Sequence, residues 1–266
     1  MILAYLSFGL VISSIIIQVF LLVLREERLK LLIPIINCAG ASSLAVLLIS
    51  RSITINFVSL IGVFDVTLFF AFCLLMISAV YGFWKRLKAN PVLLLWITIL
   101  VFAFLALSSS PLIPKEAYPP VPALQSGWLI MHVTLAFIGE SFFATAFISS
   151  ILFLISKADS KKEYFDRLTY SLIIAGFPIF TLGSLIFGAV WAEAAWGSYW
   201  SWDLKEIWAL ATWLVYLTYL HLRLVAKKSK TAQAWLSIVG FIFTMFTFLG
   251  VSFLLPSAHS YLRSVF

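Results

Sequence analysis

Five of the ten tryptophans fall between positions 191 and 208, and residues 196–203 read WGSYWSWD. A membrane protein ordinarily places single tryptophans at its two interfaces as anchors. Several rings crowded beside one acid instead suit a large planar amphiphile, for which haem is the obvious candidate. We therefore expect an aromatic platform built from Trp196, Gly197, Trp200, Trp202 and Asp203, with Trp191 as a weaker candidate.

Two of the three histidines hold positions that suit haem iron, for which neutral imidazole is a common ligand. His132 lies about one and a half turns inside an apolar run, and His259 follows the last such run. Taken singly, His132 is typical of a packing residue and His259 of a solvated tail. The presence of both histidines beside five tryptophans favours a different interpretation, in which they occupy the two axial positions of one haem. Iron would then be bound only through that haem.

His221 lies at a different level. If a helix begins near Leu204, its rise of about 1.5 Å per residue puts His221 roughly 25 Å from Asp203. Because Arg223 follows closely, the imidazole is either an interfacial side chain beside basic neighbours or a further haem ligand. The sequence leaves both interpretations open.

Two acids are weaker candidates for the same chemistry. Asp65 stands near the start of an apolar run, where a helix-start acid and a group at the haem rim are equally consistent with its position. Glu140 follows His132 by two turns, roughly 12 Å deeper, with no cation in sight. A buried carboxylate of this kind is protonated or paired with a partner subunit, so Glu140 is a candidate for a proton or haem path.

The elements that must position these residues are membrane-spanning helices. The chain of 266 residues is 63% hydrophobic and 11% charged, with a mean hydropathy of +1.08, and several of its apolar runs are long enough to cross a bilayer. No alternating barrel pattern is present, so the prediction is an all-α, polytopic transmembrane helical bundle. The eight predicted spans are residues 2–24, 31–50, 57–84, 91–107, 127–156, 168–190, 204–226 and 233–255.

Basic residues sort the connections between these spans into two faces. Fourteen of the 18 Lys and Arg residues fall on one face, and the other face holds Arg51, Lys115, Lys205 and Arg263. The positive-inside rule then predicts that both termini and the Trp-rich loop lie on the outer, periplasmic face of a bacterial plasma membrane. The net charge of +7 is explained by this topology and does not indicate nucleic-acid binding.

We expect a single integral-membrane domain over residues 1–266. It comprises four N-terminal spans (1–107), a proline-rich outer loop (108–126) and a second half (127–266) with the Trp-rich loop at 191–204. The two cysteines are far apart and form no Cys-x-x-Cys pair. The chain is therefore neither a thiol oxidoreductase of the thioredoxin kind nor itself a c-type cytochrome.

The Trp-Gly-x-x-Trp-x-Trp-Asp segment, followed by Leu-Lys-Glu-Ile-Trp-Ala-Leu, resembles the "WWD" signature of membrane proteins of cytochrome c assembly. Residues 212–223, 122–126, 131–133 and 259–261 resemble the CcsA (ResC) branch of that family, which belongs to the system II pathway. The resemblance covers roughly residues 118–261. Leu204 and Ile207 depart from it, since the family usually has Pro and then Thr or Val at these positions.

The resemblance implies that His132 and His259 ligate an external haem against the Trp-rich loop, and that His221 ligates haem within the membrane. It implies export of haem b, as a transported substrate, and its presentation to the Cys-x-x-Cys-His thiols of an apocytochrome c. The chain would be the haem-binding subunit of a cytochrome c haem synthetase (haem lyase), with a CcsB (ResB)-type membrane partner and thiol-reducing proteins.

Two alternatives stay open at this point. One is haem delivery to a chaperone without attachment, as in the CcmC kind of protein. The other is a membrane regulator or scaffold of haem biosynthesis of the HemX kind. Eight spans and the context of His221 argue against the first, and the intact Trp-rich signature argues against the second.

Overall fold

The computed structural model describes residues 2–24, 28–85, 89–226 and 229–254. These residues form helices and connecting turns, and eight helices among them are long and apolar enough to cross a membrane. The predicted all-α bundle of about eight spans is therefore confirmed. The described helices divide into two compact units, at Met1–Val121 and Pro122–Phe266.

The first unit consists of four long helices. They are α1 (Ile2–Leu24), α2 (Leu32–Ile55), α3 (Val63–Lys85) and α4 (Pro91–Ser109). Each helix packs on the next, and α1 also packs on α4, so the four close into a bundle. Asn90 begins α4 as an N-cap, since its side chain accepts hydrogen bonds from the backbone N–H groups of Val92 and Leu93.

Buried polar side chains link all four helices of this unit. Gln18 of α1 donates through Nε2 to Ser14 and to Thr98 of α4, both at 2.9 Å. Ser14 donates to Asn37 of α2 at 2.6 Å, and Asn37 donates to Ser78 of α3 at 2.8 Å. Interhelical hydrogen bonds of this kind stabilise helix association where the surroundings are apolar. They hold the helices of the first unit in one register.

The second unit contains the longest helices of the chain. It contains α5 (Gly127–Ile155), α6 (Asp159–Phe180), α7 (Gly188–Trp196), α8 (Leu204–Leu224), α9 (Lys230–Met245) and the short α10 (Val251–Leu254). A seven-residue π-helical turn, Thr181–Phe187, joins α6 to α7, and a second one, Phe246–Gly250, joins α9 to α10. The helix pair α5 and α6 forms the most extensive interface of this unit.

The sixth span is longer than predicted. The sequence predicts residues 168–190, whereas the helix runs continuously over Asp159–Trp196. Its first turns carry charged side chains, so hydropathy assigns them to a connection between spans. In the structure they are helical, and Glu163 and Asp166 form ion pairs with basic residues of the same unit. Its last turns carry the first tryptophans of the Trp-rich segment, which therefore belong to a helix.

Candidate functional site

The imidazole of His132 is held by the π-helical turn between α6 and α7. His132 lies on α5, and its Nδ1 is 2.8 Å from the carbonyl oxygen of Gly183. A carbonyl oxygen only accepts, so in the neutral ring Nδ1 carries the hydrogen and donates it. The lone pair then lies on Nε2, which is the ring atom able to coordinate a metal. The hydrogen bond therefore fixes the tautomer and the orientation of the His132 ring.

The Trp191 ring stacks on the His132 ring. The two rings are parallel within 6° and their centroids are 6.1 Å apart. Trp191 is only 1% exposed, and its indole N–H donates to the carbonyl of Ala123 at 3.4 Å. The expectation that Trp191 belongs to the loop 191–204 is wrong, because α7 continues to Trp196. In this structure Trp191 packs on His132 from inside the unit.

The connection between α7 and α8, residues 197–203, is referred to below as the Trp loop. Gly197 ends α7 with φ +75°, a left-handed conformation that glycine adopts without steric cost. Trp202 also has a positive φ, +60°, which is rare for a bulky residue and costs about 1–3 kcal/mol. Such strain persists only where the surrounding structure fixes the backbone, and it concentrates at functional sites.

The rings near the Trp loop do not form one flat platform. Trp200 and Trp202 meet edge to face, with centroids 5.8 Å apart and an angle of 87°, and Trp191 meets Trp196 at 5.8 Å and 73°. Edge-to-face contact is favoured because the positive edge of one ring meets the negative face of the other. The aromatic platform expected from the sequence is therefore two pairs of angled rings. Trp196 in one pair and Trp202 in the other are exposed.

The indole N–H of Trp200 is a buried donor in the Trp loop. The Nε1 of Trp200 is buried and meets no hydrogen-bond acceptor among the described residues. An indole N–H can only donate, and a buried donor without an acceptor costs about 1–3 kcal/mol. A ligand that brings an acceptor, such as a carboxylate, would recover this free energy.

Two carboxylates fix the end of the Trp loop to α8. Asp203 accepts from the backbone N–H of Lys205 at 3.1 Å, and Glu206 Oε2 accepts from those of Ser201 and Asp203 at 2.8 and 3.1 Å. Together they form a capping box, which satisfies backbone donors at the start of the helix. Asp203, predicted as part of the platform, therefore has a structural role at the start of α8.

We expect Glu206→Ala to loosen the Trp loop. The change removes the acceptor for two backbone N–H groups and for the Ser201 hydroxyl, so about 1–2 kcal/mol of local stability is lost. Hydrogen exchange at residues 198–203 should accelerate by about tenfold, as 1.4 kcal/mol implies. Glu193→Ala, an exposed acid of α7, is the matched control, and equal exchange in both variants would contradict the capping role.

Glu140 is buried inside the second unit. Its side chain lies on α5 at 6% exposure, and Oε2 meets no hydrogen-bond partner in the part of the chain that the structure describes. The expectation that no cation is near is wrong, since the charge of Lys205, in the first turn of α8, acts on this carboxyl group. The sequence could not place these two together, because they lie 65 residues apart on different helices.

Asp65 lies in the first unit, in the first turn of α3. Arg51 of α2 donates to its two carboxylate oxygens at 2.5 and 3.4 Å, and the same guanidinium donates to the carbonyl of Lys115 and packs over Phe64. Sequence analysis did not identify Arg51 as its partner. The ion pair favours the structural interpretation of Asp65.

His221 points away from the second unit. It is exposed in the last turn of α8, whereas Arg223, two residues on, faces inward. Arg223 donates to both oxygens of Asp166 at 2.7 and 2.8 Å and to Gln233 at 2.9 Å. Because residues two apart on a helix project about 200° from each other, His221 cannot share this ion pair. The structure therefore separates His221 from the basic neighbour that the sequence suggested.

The predicted site residues fall into separate groups. His132, Trp191 and the π-helical turn form one cluster, and Trp196 joins it through Trp191. His221 lies at the far end of α8 from the Trp loop. His259 lies outside the described residues. Sequence analysis missed the Gly183 carbonyl, for which no signal exists, since a backbone atom leaves no mark in a sequence.

The fold and site define a class: a helical multi-pass membrane protein with a tryptophan-rich loop and a histidine that is hydrogen-bonded to a π-helical turn. A family model described as "Cytochrome C assembly protein" matches residues 60–259. Because the match spans most of the chain, this protein belongs to the cytochrome c assembly protein family.

Individual relatives agree with this assignment. The cytochrome c biogenesis protein CcsA of Guillardia theta is 35% identical over 250 residues, covering 82% of this chain and 81% of that protein. The CcsA of Gloeobacter violaceus is 30% identical over 289 residues, covering 84% and 85%. The CcsA of Chlamydomonas reinhardtii is 45% identical over 173 residues, covering 62% of this chain and 48% of that protein.

Proposed function

We propose that this protein exports haem b and presents it beside the Trp loop for covalent attachment to apocytochrome c. As a member of the cytochrome c assembly family, the chain acts in cytochrome c biogenesis and handles haem for that assembly. One observation supports the finer proposal: Nδ1 of His132 is hydrogen-bonded to the Gly183 carbonyl, which puts the lone pair on Nε2, the ring atom able to coordinate iron.

The external haem would be held by two imidazoles. His132 supplies one axial ligand from α5, and we propose that His259 supplies the other. Trp196, Trp200 and Trp202 contact the macrocycle, with Gly197 giving the loop its turn. The Nε1 of Trp200, which meets no acceptor within the described part of the chain, fits the carboxylate of a haem propionate, and Lys205 provides a cation at the same end of α8.

The chemistry at this site is the addition of two thiols to the two vinyl groups of haem. In each addition the cysteine sulfur bonds one vinyl carbon and the thiol hydrogen goes to the other, so no atom is lost. Residues of this chain would hold the ring and leave its vinyl edge accessible to the Cys-x-x-Cys-His segment. On this proposal the protein is the haem-binding subunit of a haem lyase, served by proteins that keep the thiols reduced.

Transport within the membrane would use His221. Because this imidazole faces outward from the second unit, we propose that a CcsB (ResB)-type subunit contacts α8 there and supplies the second axial ligand. Glu140, on which the charge of Lys205 acts inside the second unit, is a candidate for a residue on a proton or haem path between the membrane interior and the Trp loop. Asp65 is the weaker candidate, since Arg51 already neutralises it.

The proposed location is a bacterial plasma membrane with the Trp loop on the outer face. The eight apolar helices make the chain a multi-pass membrane protein. The orientation is supported by the uneven distribution of Lys and Arg between the two sets of connections.

An absorption spectrum of the detergent-purified protein tests the proposed function. We expect a low-spin, six-coordinate haem spectrum with two imidazole ligands, produced in cells that make abundant haem. A preparation that binds no haem, even after incubation with haem in the same detergent, would contradict it.

The Trp loop should respond to aromatic substitution in a graded manner. Replacing Trp196, Trp200 or Trp202 with Phe keeps a ring against the macrocycle, whereas Ala removes the ring. Each ring lost to Ala should cost about 1 kcal/mol of binding free energy, which is about a fivefold loss of haem affinity. We expect maturation of a reporter cytochrome to fall further in each Ala variant than in its Phe counterpart. Trp235→Ala, an exposed tryptophan of α9, is the control. Equal maturation by all three Ala variants would reduce the loop to an interfacial belt.

A further inference from the structure

The π-helical turn Thr181–Phe187 has an unusual relation to His132. The carbonyl of Gly183 accepts the N–H of Gly188, five residues on, and its oxygen also lies 2.8 Å from Nδ1 of His132. A carbonyl oxygen has two lone pairs, so both donors are accommodated. Single π-helical turns within α-helices occur frequently at functional sites.

The turn lies against α5 at a distance that only glycine permits. A Cβ at position 183 would come within 2.3 Å of the backbone nitrogen of Ala136, one turn from His132. A Cβ at position 188 would come within 3.0 Å of Nδ1 itself and 3.2 Å of Cε1. The imidazole therefore fits into a space that two glycines leave open.

Contacts with α8 hold the same turn from the other side. The indole N–H of Trp213 donates to the Thr181 hydroxyl at 3.0 Å, and the Trp213 ring stacks on Phe177 at 5.5 Å and 26°. Because the turn contacts both α5 and α8, the Gly183 carbonyl has a fixed orientation toward His132. The ring of His132 is consequently restricted in both position and rotation.

We infer that the Gly183 carbonyl is the positioning group for the axial ligand, and that the π-helical turn makes the site select an imidazole with a second N–H. This inference rests on the proposed ligation of haem by His132. A hydrogen bond from Nδ1–H to a carbonyl makes the imidazole more basic at Nε2 and fixes its orientation. The ferric state, with its higher positive charge, gains more from a stronger donor than the ferrous state does.

The first test replaces the side chain and leaves the acceptor in place. In purified His132→Gly loaded with haem, imidazole and 1-methylimidazole are titrated as the missing ligand. Both have similar basicity, but the methyl group removes the second N–H. We expect imidazole to bind about five- to tenfold more tightly, the factor for a hydrogen bond of about 1–1.4 kcal/mol. Haem in the same detergent without protein is the control, for which the two affinities should agree.

The second test keeps His132 and disturbs its hydrogen bond. Gly188 has helical backbone angles, so Gly188→Ala is tolerated by the chain while its methyl group presses on the imidazole. We expect a higher haem reduction potential and a changed visible spectrum. Gly127→Ala, on the same helix as His132 and with no atom within 4 Å of the new Cβ, is the matched control.

The outcomes separate this inference from the proposed function. Equal affinity of His132→Gly for both ligands, or a Gly188→Ala protein with the potential and spectrum of the unmodified one, would overturn the inference while leaving His132 a ligand. A His132→Gly protein whose haem spectrum is unchanged before any imidazole is added would instead overturn the ligation by His132, and the inference with it. If His132→Gly does not fold, the comparison of Gly188→Ala with Gly127→Ala decides.

Discussion

Replacing His132 with alanine is expected to abolish cytochrome c maturation and to lower the haem content of the purified protein by at least tenfold. The loss follows from removal of the proposed axial ligand, an imidazole that the Gly183 carbonyl and the Trp191 ring hold in place. His259→Ala should have the same effect, because one haem would depend on both imidazoles. Millimolar imidazole in the growth medium should restore part of the maturation by filling the open axial position.

Met131→Ala is the matched control for this prediction. Met131 precedes His132 on α5 but is exposed, so its loss should leave haem content and spectrum unchanged. If His132→Ala and His259→Ala both purify with a full complement of haem and normal spectra, the external site is assigned to the wrong residues.

The second large effect concerns His221. In a complex of this chain with the proposed CcsB-type partner, we expect two haems, one of which disappears in His221→Ala. The His221 imidazole is exposed in the last turn of α8, whereas His132 lies on α5 and is hydrogen-bonded to the π-helical turn between α6 and α7. We therefore propose that another polypeptide supplies the second axial ligand. The isolated chain should carry only the external haem.

Leu217→Ala tests whether the effect is specific to ligation. Leu217 is exposed one turn before His221 on the same face of α8, so its truncation removes contact area but no ligand. We expect this variant to retain both haems in the complex. Two stoichiometric haems with bis-histidine spectra in the isolated chain would refute a shared site.

The helices were predictable because a bilayer leaves few choices. Runs of about 20 apolar residues must be helical there, and hydropathy alone locates eight of them. The ends of the sixth span were not predictable. Six of the nine residues 159–167 are charged, yet the segment is helical and Asp166 pairs with Arg223 across the unit, a contact between residues 57 apart.

Residue types indicated the site, but its arrangement depends on tertiary contacts. His132 was identified by its type and its neighbours, while the group that orients it is a backbone carbonyl. The sequence does not distinguish Trp191 from Trp202, yet Trp191 is 1% exposed and Trp202 is 69% exposed. Trp191 lies on the buried side of α7, whereas Trp202 lies in the loop that follows Gly197. The charge of Lys205 acts on Glu140 because α8 and α5 belong to the same unit.

The left-handed backbone of Trp202 also affects how tightly a ligand binds. A flexible loop loses conformational entropy when a ligand orders it, and this loss reduces affinity. Here Gly197 and the capping box fix both ends of the Trp loop, and they hold Trp202 in a conformation that it would leave if it were free. The entropic cost has therefore already been met during folding, so more of the contact free energy between the indole rings and a planar ligand is retained as affinity.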